Sequence, residues 1–540
     1  MIRIREITLP FDHASGALAG AVARKLGLRP AELSKITIVR KSIDARKKNR
    51  IVAAYIADVS VADESGVMKR LGNNPHIEPS PDTTYRMPSS SSMPSSARKG
   101  MPPKTHPVVV GSGPCGLFAA LALAQAGAKP ILIERGKEVR SRIRDVNAFW
   151  TQGILNPESN VPFGEGGAGT FSDGKLTTQI KDKHNRVQKI LTEFVAAGAP
   201  EEILYDSRPH IGTDHLVRVV QNLREKILSL GGQVRFETKL TGLIIRDGHL
   251  AGAVVNDSET LETGALVLAL GHSARDTFEM LARQAVAMEV KPLSIGVRIE
   301  HPQSLIDTAQ YGQFAGHPRL GAADYKLVHH CGSGRSAYTF CMCPGGEVIG
   351  ASSEAGGIVT NGMSRYARSC PNANSALLVG ITPADFGGDG ALAGIAFQRK
   401  WEQKAFTAGG GHYYAPAQCV GDFLAGKASV AMGAVAPSYT PGITPCDLAD
   451  CLPEFVVSTL REAIVQMDKK LRGFAMRDAV MTALESRSSS PLRILRDESL
   501  QSVSTPGLYP AGEGAGYAGG IISAAVDGLK VAEAICCTAF

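Results

Sequence analysis

Residues 107–136 read PVVVGSGPCGLFAALALAQAGAKPILIERG, and their order decides the fold. The apolar run Val108–Val110 predicts a strand that ends at Gly111. Gly111-Ser-Gly113-Pro-Cys-Gly116 then opens an alanine-rich helix, and a second apolar run, Pro130–Ile133, delivers Glu134. Each part has a physical task. Gly111 permits the tight strand-to-helix turn, and Gly113 has no Cβ to block an approaching pyrophosphate. Gly116 lets the helix lie close on the sheet, with its N-terminal NH groups and dipole toward the phosphates. Glu134 follows Gly111 by 23 residues, the spacing at which a carboxylate meets a ribose diol. Strand, glycines, helix, strand and acid in register predict a dinucleotide site.

Around this stretch the chain is long enough, at 540 residues, for roughly two to four structural units. With 44% hydrophobic and 20% charged residues it has the composition of a globular protein. No signal-peptide core and no apolar run of membrane-spanning length stands out, so a cytoplasmic protein without a membrane span is expected. Ten cysteines in so long a chain make no disulfide scaffold. Cys341-x-Cys343, Cys446-x4-Cys451 and Cys536-Cys537 match neither a zinc pair nor a redox C-x-x-C, so no metal is expected. The net charge of +7 is uneven. Residues 1–105 hold 18 Lys/Arg against 9 Asp/Glu, and the remainder 40 against 42.

Residues 1–71 read as a small basic βαββ module: strand Ile2–Leu9, helix Ala17–Leu26, and strands Lys35–Lys41 and Ile51–Val61 around the loop SIDARKKNR. That loop could touch RNA; a solvated hairpin tip is the plainer reading. Residues 72–106 are rich in Pro and Ser and read as a linker. Residues 107–275 continue the dinucleotide unit. They include Gly164–Lys175, with five glycines in eleven residues, able to lie flat against a planar ligand or phosphate. An amphipathic helix over 214–230 follows, then a hairpin of Gln233–Ile245 with Leu250–Val255, and the buried strand Ala265–Leu270. From 276 to 485 the glycine rhythm is lost, and strand-like pieces with a helix at Glu454–Lys470 predict an inserted α+β substrate domain. Residues 486–540 restore the first domain. Their helix, running to about Cys536, follows Gly507–Gly520, so its dipole can face an electron-rich ring edge.

The motifs SNVPFGEGGAGTFSDGKL, HIGTDHL, ALGHSARDTFEML, SIGVRIEHP, FCMCPGGEVIGASSE, NGMSRYARSCPNANSALLV, ESRSSSPLRI and GLYPAGEGAGYAGGIISAAVDG stand in that order. With them the chain closely resembles the family of FAD-dependent dehydrogenases, and more distantly flavoproteins that reduce or desaturate carbon–carbon bonds. The resemblance covers most of the chain outside 72–106. It implies an α/β fold: a Rossmann-like FAD-binding domain of glutathione-reductase type, with the inserted domain and the N-terminal module. It implies FAD as cofactor. Gly111, Gly113, Pro114, Cys115 and Gly116 would cradle the pyrophosphate. Glu134 would bind the adenosine ribose, with Arg135 and Arg142 alongside. Gly166, Gly167, Ala168, Gly169, Thr170, Ser172 and Asp173 would pass along the isoalloxazine and ribityl chain. Leu240 would flank the adenine, and Ala269 to Gly271 would close over the cofactor. Gly512 and Glu513 would face the ribityl hydroxyls, and Gly519, Gly520 and Ile521 the pyrimidine edge.

A second dinucleotide fingerprint, a redox cysteine pair and the tryptophan signature of flavin halogenases are missing from the sequence. What remains is hydride transfer between FAD and an unsaturated or hydroxylated small molecule, with NAD(P)H, another reductant or O2 closing the cycle. Candidate proton donors are Lys175, His412, Tyr413 and Tyr517, each beside a glycine-rich turn. Cofactor hydrogen bonding for Lys175, and packing or surface for the others, are the competing readings. His272 and Arg275 are expected near the phosphates or a hinge. Cys341 and Cys343, alternating on one strand, are expected to share a core face. Two rival functions stand beside the enzyme: a flavoprotein acting on RNA through the basic module, and a non-enzymatic FAD-bound scaffold.

Overall fold

Val108–Val110 is the middle strand of a five-stranded parallel sheet in the computed structural model, which describes residues 1–88 and 106–539. The order is Leu508–Pro510, Leu266–Leu268, Val108–Val110, Ile131–Ile133, Gln233–Arg235. Helices cover these strands, which is why three of them read as unbroken apolar runs instead of alternating. The helix Pro114–Gln125 is buried from Cys115 to Ala124. It has no polar face because Ile521–Ala539 and Thr213–Ser229 pack on it. The crossing with the last helix is close: a Cβ on Gly528 would lie 2.1 Å from the Cys115 carbonyl oxygen.

The predicted strand Gln233–Ile245 is two strands. Gln233–Arg235 joins the parallel sheet beside Ile131–Ile133. The chain then turns at Glu237, whose φ of 51° is left-handed. Leu240–Arg246 starts a separate antiparallel meander with His249–Val255 and Glu259–Glu262. The apolar pattern runs through both pieces, so the turn at a non-glycine residue left no mark in the sequence.

Leu293–Glu485 holds a seven-stranded sheet. Its order is Val328–His330, Ser336–Cys343, Asn372–Ile381, Leu293–Pro302, Val480–Glu485, Ala415–Cys419, Ile443–Pro445. Leu293–Pro302 pairs antiparallel with Asn372–Ile381 along its whole length and is buried on both faces. The helices Ala393–Ala408 and Glu454–Lys470 pack against this sheet.

The N-terminal sheet has the order Leu33–Asp44, Val52–Val61, Ile2–Pro10, Ile77–Pro79. It therefore exceeds the expected βαββ unit by the helix Glu64–Leu71 and a fourth strand. That strand lies in the segment read as linker. Ile77 is 4% exposed beneath the helices, and one buried apolar residue was too little for sequence patterning to register. Tyr85, also in that segment, donates to Glu533 at 3.0 Å. The rest of the expected linker, 89–105, lies outside the described residues. In the loop 45–50, Arg46 pairs with Asp44 at 2.6 Å. The N-terminal sheet meets the body where Lys41 and Tyr205 share a backbone hydrogen bond of 2.7 Å and where Phe11 packs edge-on against Phe314. No helix among the described residues is long and apolar enough to cross a membrane.

Candidate active site

A cleft enclosing about 1620 Å³ of empty space, part of it open to solvent, is lined by the glycine turn at one end and by Ser336–Cys343 and Glu485–Ser488 at the other. At the turn, Gly111 has φ +100°, and a Cβ there would lie 2.6 Å from the Ala269 carbonyl oxygen. A Cβ on Gly116 would lie 1.8 Å from the Gly111 oxygen. Gly113 is different: its Cβ would meet only the Gly167 Cα, at 4.0 Å. The helix that starts at Pro114 has no side-chain cap and no acid in its first turn, so its first NH groups are free for an anion.

Glu134 is 5% exposed and fully engaged. One carboxylate oxygen accepts from the Ser112 amide and hydroxyl at 2.8 Å, the other from the Gly136 and Gly164 amides at 3.0 Å. All four acceptor sites of the carboxylate are thus taken by the chain itself. Glu134 fastens the turn, its own strand and the loop at 164 to one another. Next to it Arg135 pairs with Asp276 at 2.8 Å and with Glu158 at 2.7 Å, its guanidinium over the Phe163 ring. Thr238, Lys239 and Leu240 complete that end of the cleft.

Along the middle runs the tight turn Gly167–Phe171, leading to Asp173. Burial alone would raise the Asp173 carboxyl, but Arg368, bonded at 3.0 and 2.6 Å, and nearby Lys175 hold it below the usual range. Opposite, His272 Nε2 lies 3.6 Å from Glu513. Burial, with Arg487 and Arg275 nearby, pushes His272 down to about 3, so the contact is not an ion pair at neutral pH. Burial pushes Glu513 up to about 7, against the pull of Lys291.

The far end is polar strand backbone and a buried carboxyl. Glu485 is 4% exposed, and its Oε2 has no hydrogen-bond partner. Arg298, fully buried behind it, approaches to 3.7 Å while spending its other donors on Asn374 and the Cys341 carbonyl. Burial pushes Glu485 up to about 7, although Arg298 acts the other way. Arg487 donates to Glu402, Ser353 and Ser273.

Two stretches match family models of flavoproteins: 106–167 matches "FAD binding domain" and 292–488 matches "FAD-dependent protein, C-terminal domain-like". Residues 1–60 match a domain of unknown function. An uncharacterized protein of Clostridium beijerinckii is 49% identical over 535 residues, covering 99% of this chain and 98% of its own. The chain belongs to the family of FAD-dependent proteins. Among solved structures, glycerol-3-phosphate dehydrogenase of Bacillus halodurans complexed with FAD is 12% identical, with 79% of this chain and 63% of that one covered and a TM-score of 0.33. Glycine oxidase of Bacillus cereus is 10% identical, with 80% and 97% covered and a TM-score of 0.35. Likenesses this low transfer no activity.

For an FAD-dependent protein the cleft is a suitable cradle: an uncapped helix start and facing glycine backbones at 113 and 167. Most residues expected to touch the cofactor line it, namely Gly111, Gly113, Pro114, Cys115, Glu134 and Arg135 at the turn. Gly167, Ala168, Gly169, Ser172, Asp173, Leu240, Ala269 and Gly271 line its walls, with Glu513, Gly519, Gly520 and Ile521 opposite. Gly116, Gly166, Thr170 and Gly512 sit one layer behind. Gly512 abuts Cys115, where a Cβ would lie 2.8 Å from that side chain.

Arg142 is a correction. It is fully buried and donates to the carbonyls of Asn160, Val161, Glu165 and Gly167, so it shapes the glycine loop from behind and does not reach the cleft. Three proton-donor candidates are also elsewhere. Exposed His412 leans on Tyr414, Tyr413 packs between Phe149 and Phe406, and Tyr517 donates to the Ile494 carbonyl under Arg496. Adjacency to a glycine turn placed none of them at the cleft; of the four, only Lys175 lines it. Arg275 joins Glu402, Glu354 and Gln398 in a buried ion network. Cys341 and Cys343 do share a face, but it is the cleft and not the core. The strand slips register between Phe340 and Cys343, Cys341 takes a φ of 41°, and both cysteines face the cleft.

Sequence reading missed Glu485, Arg487, Ser488, Phe340, Asn361 and Gly362 as cleft residues. Their motifs, ESRSSS, FCMC and NGMS, were visible, but a strand sequence does not say which sheet end faces the cofactor.

Proposed function

We propose that this flavoprotein is a dehydrogenase or reductase. It moves hydride between FAD, held in a glutathione-reductase-type domain, and an unsaturated or hydroxylated small molecule. In this reading 107–275 and 486–540 form the FAD-binding domain, 276–485 the substrate domain, and 1–71 an accessory module. The observation that carries it is the single cleft joining the phosphate turn to a polar, partly uncharged far end. Bound FAD would supply a two-electron hydride acceptor or donor.

The chain's own residues do the rest. The helix start and the facing glycine backbones hold the pyrophosphate close, and the Asp173–Arg368 pair fixes the loop along the ring. A ribose diol reaches Glu134 only by replacing one of its four donors; Arg135 and Lys239 stand beside it. Uncharged His272 lets the cofactor lie against Ala269–Ser273 without a fixed positive charge. Ten free cysteines among the described residues suit a reducing, cytoplasmic compartment, and NAD(P)H is the transient electron donor proposed.

The test is an absorption spectrum followed by anaerobic addition of NADH or NADPH. A flavin band that bleaches within seconds supports a nicotinamide-driven reductase; one that waits for an organic substrate supports a dehydrogenase. Purified protein without flavin, and with no uptake of added FAD, overturns the proposal.

A further inference from the structure

At the edge of the seven-stranded sheet, Val328–His330 runs into a tight turn before Ser336–Cys343 returns beside it. The Cys331 amide closes that turn on the Arg335 carbonyl at 2.8 Å. Three side chains of different chemistry meet where the turn touches the helix Glu454–Lys470. His329 Nε2 lies 3.2 Å from Glu462 Oε1, which also accepts from the Gly332 amide at 3.0 Å. Cys331, 6% exposed, turns its thiol to the same helix, 3.6 Å from the Thr459 carbonyl. One nitrogen, one sulfur and one carboxylate oxygen thus lie within 4.8 Å of one another. None of the three residues lines the cleft, and the flavin chemistry does not use them. Cysteine spacing could not signal the group, because Glu462 stands 133 residues after His329.

We propose that His329, Cys331 and Glu462 bind a Zn2+ ion that clamps this hairpin to the helix. Around a tetrahedral zinc, bonds of ~2.0–2.3 Å put neighbouring N, O and S ligand atoms roughly 3.3–3.6 Å apart. The His329–Glu462 separation of 3.2 Å already approaches that geometry. The Cys331 sulfur is no more than 4.8 Å from either partner, so a small side-chain movement completes the set. The donor types select the metal: thiolate and imidazole suit zinc, whereas Mg2+ and Ca2+ take oxygen ligands. Charge balances as well. A Cys331 thiolate and the Glu462 carboxylate offset the two charges of the ion, and His329 binds neutral. On binding, the thiol S–H bond breaks, its proton goes to water, and the sulfur bonds the metal. The imidazole keeps its proton on Nδ1, which frees the Nε2 lone pair. Water takes the fourth position from the solvent side, where the Glu462 side chain is 42% exposed.

The test uses the flavin-loaded full chain, reduced and stripped with a chelator, then titrated with Zn2+ and, as a spectroscopic probe, with Co2+. One Zn2+ per chain is expected to stay bound through gel filtration, and the melting temperature to rise with added Zn2+. In difference spectra, Co2+ should give a thiolate-to-metal charge-transfer band and d–d bands beyond the flavin absorption, and Zn2+ should abolish both. His329→Gln, Glu462→Gln and Cys331→Ser should each weaken Zn2+ by more than the ~10–100-fold lost with an outer-shell partner. The first two alter partly exposed side chains; flavin content equal to that of the parent shows that they fold. A chain that holds no stoichiometric Zn2+, or variants that bind it as the parent does, overturn the proposal. So does a Co2+ complex without the thiolate band, because Cys331 would then be no ligand. Neither result touches the flavin reading, which the flavin content measures separately.

Discussion

Arg142 donates to four backbone carbonyls from a position without solvent contact. Burial pushes the guanidinium down to about 10, with Glu134 and Glu165 acting against that shift, so it stays charged at neutral pH. Arg142→Met would orphan the four acceptors, at roughly 1–3 kcal/mol each before relaxation. Urea unfolding is expected to show a loss of at least ~3 kcal/mol, together with loss of flavin, and Arg142→Lys to recover only part of it. Glu485 makes a different prediction. Its folded value of about 7 lies above the 4.5 of an ordinary glutamate. Below pH 4.5 the carboxyl is protonated in folded and unfolded chain alike and costs nothing. Between there and about 7 the unfolded chain ionises first, so stability falls as pH rises. Glu485→Gln should therefore gain on the parent from pH 5 to pH 8, by on the order of 2 kcal/mol, when urea midpoints are compared across pH. Curves that run parallel would refute the raised value. Glu513, raised for the same reason, should leave a residual slope of the same sign in the variant.

The strand–turn–helix unit separates two kinds of glycine. Gly113 has φ −69° and ordinary space for a Cβ, whose nearest neighbour would be Gly167 at 4.0 Å. Gly113→Ala should fold, because nothing in the chain opposes the methyl group. It should hold FAD about tenfold or more weakly, because the methyl group takes the space of the pyrophosphate. Gly116→Ala puts a Cβ 1.8 Å from the Gly111 oxygen, so the helix must leave the sheet and soluble protein should be lost. Flavin-to-protein ratio and circular dichroism tell the outcomes apart. In the strand Ser336–Cys343, Cys341 and Cys343 both face the cleft across a register slip between Phe340 and Cys343.

The parallel-sheet and seven-stranded-sheet sides of the molecule are joined by charge. Glu402, 2% exposed, accepts from both Arg275 and Arg487, and the two arginines hold its carboxyl far below the usual range despite burial. Glu402→Gln leaves two buried guanidiniums under-compensated and should cost about 3–5 kcal/mol, measured by denaturant unfolding of the flavin-loaded protein. Removing residues 1–88 is a milder change. It takes away the Phe11–Phe314 packing, the Lys41–Tyr205 bond and the Tyr85–Glu533 bond, but cleft-lining residues begin at Val110. The shortened chain should melt lower with its flavin content unchanged; a flavin-free product would assign the module a part in the cleft. The sequence alone determined the dinucleotide turn, the helices at Ala17–Leu26 and Glu454–Lys470, and most of the glycine-loop residues along the cleft. Those features are local: a turn needing positive φ, a 3.6-residue apolar period, and a fixed spacing from glycine to acid. The tertiary structure decided which acids meet which donors. It occupied Glu134 with four chain donors, turned Arg142 inward, moved His412, Tyr413 and Tyr517 away from the cleft, and brought Glu485 and Arg487 to it. Those placements depend on how two sheets far apart in sequence face each other, and on burial that only the packed chain creates.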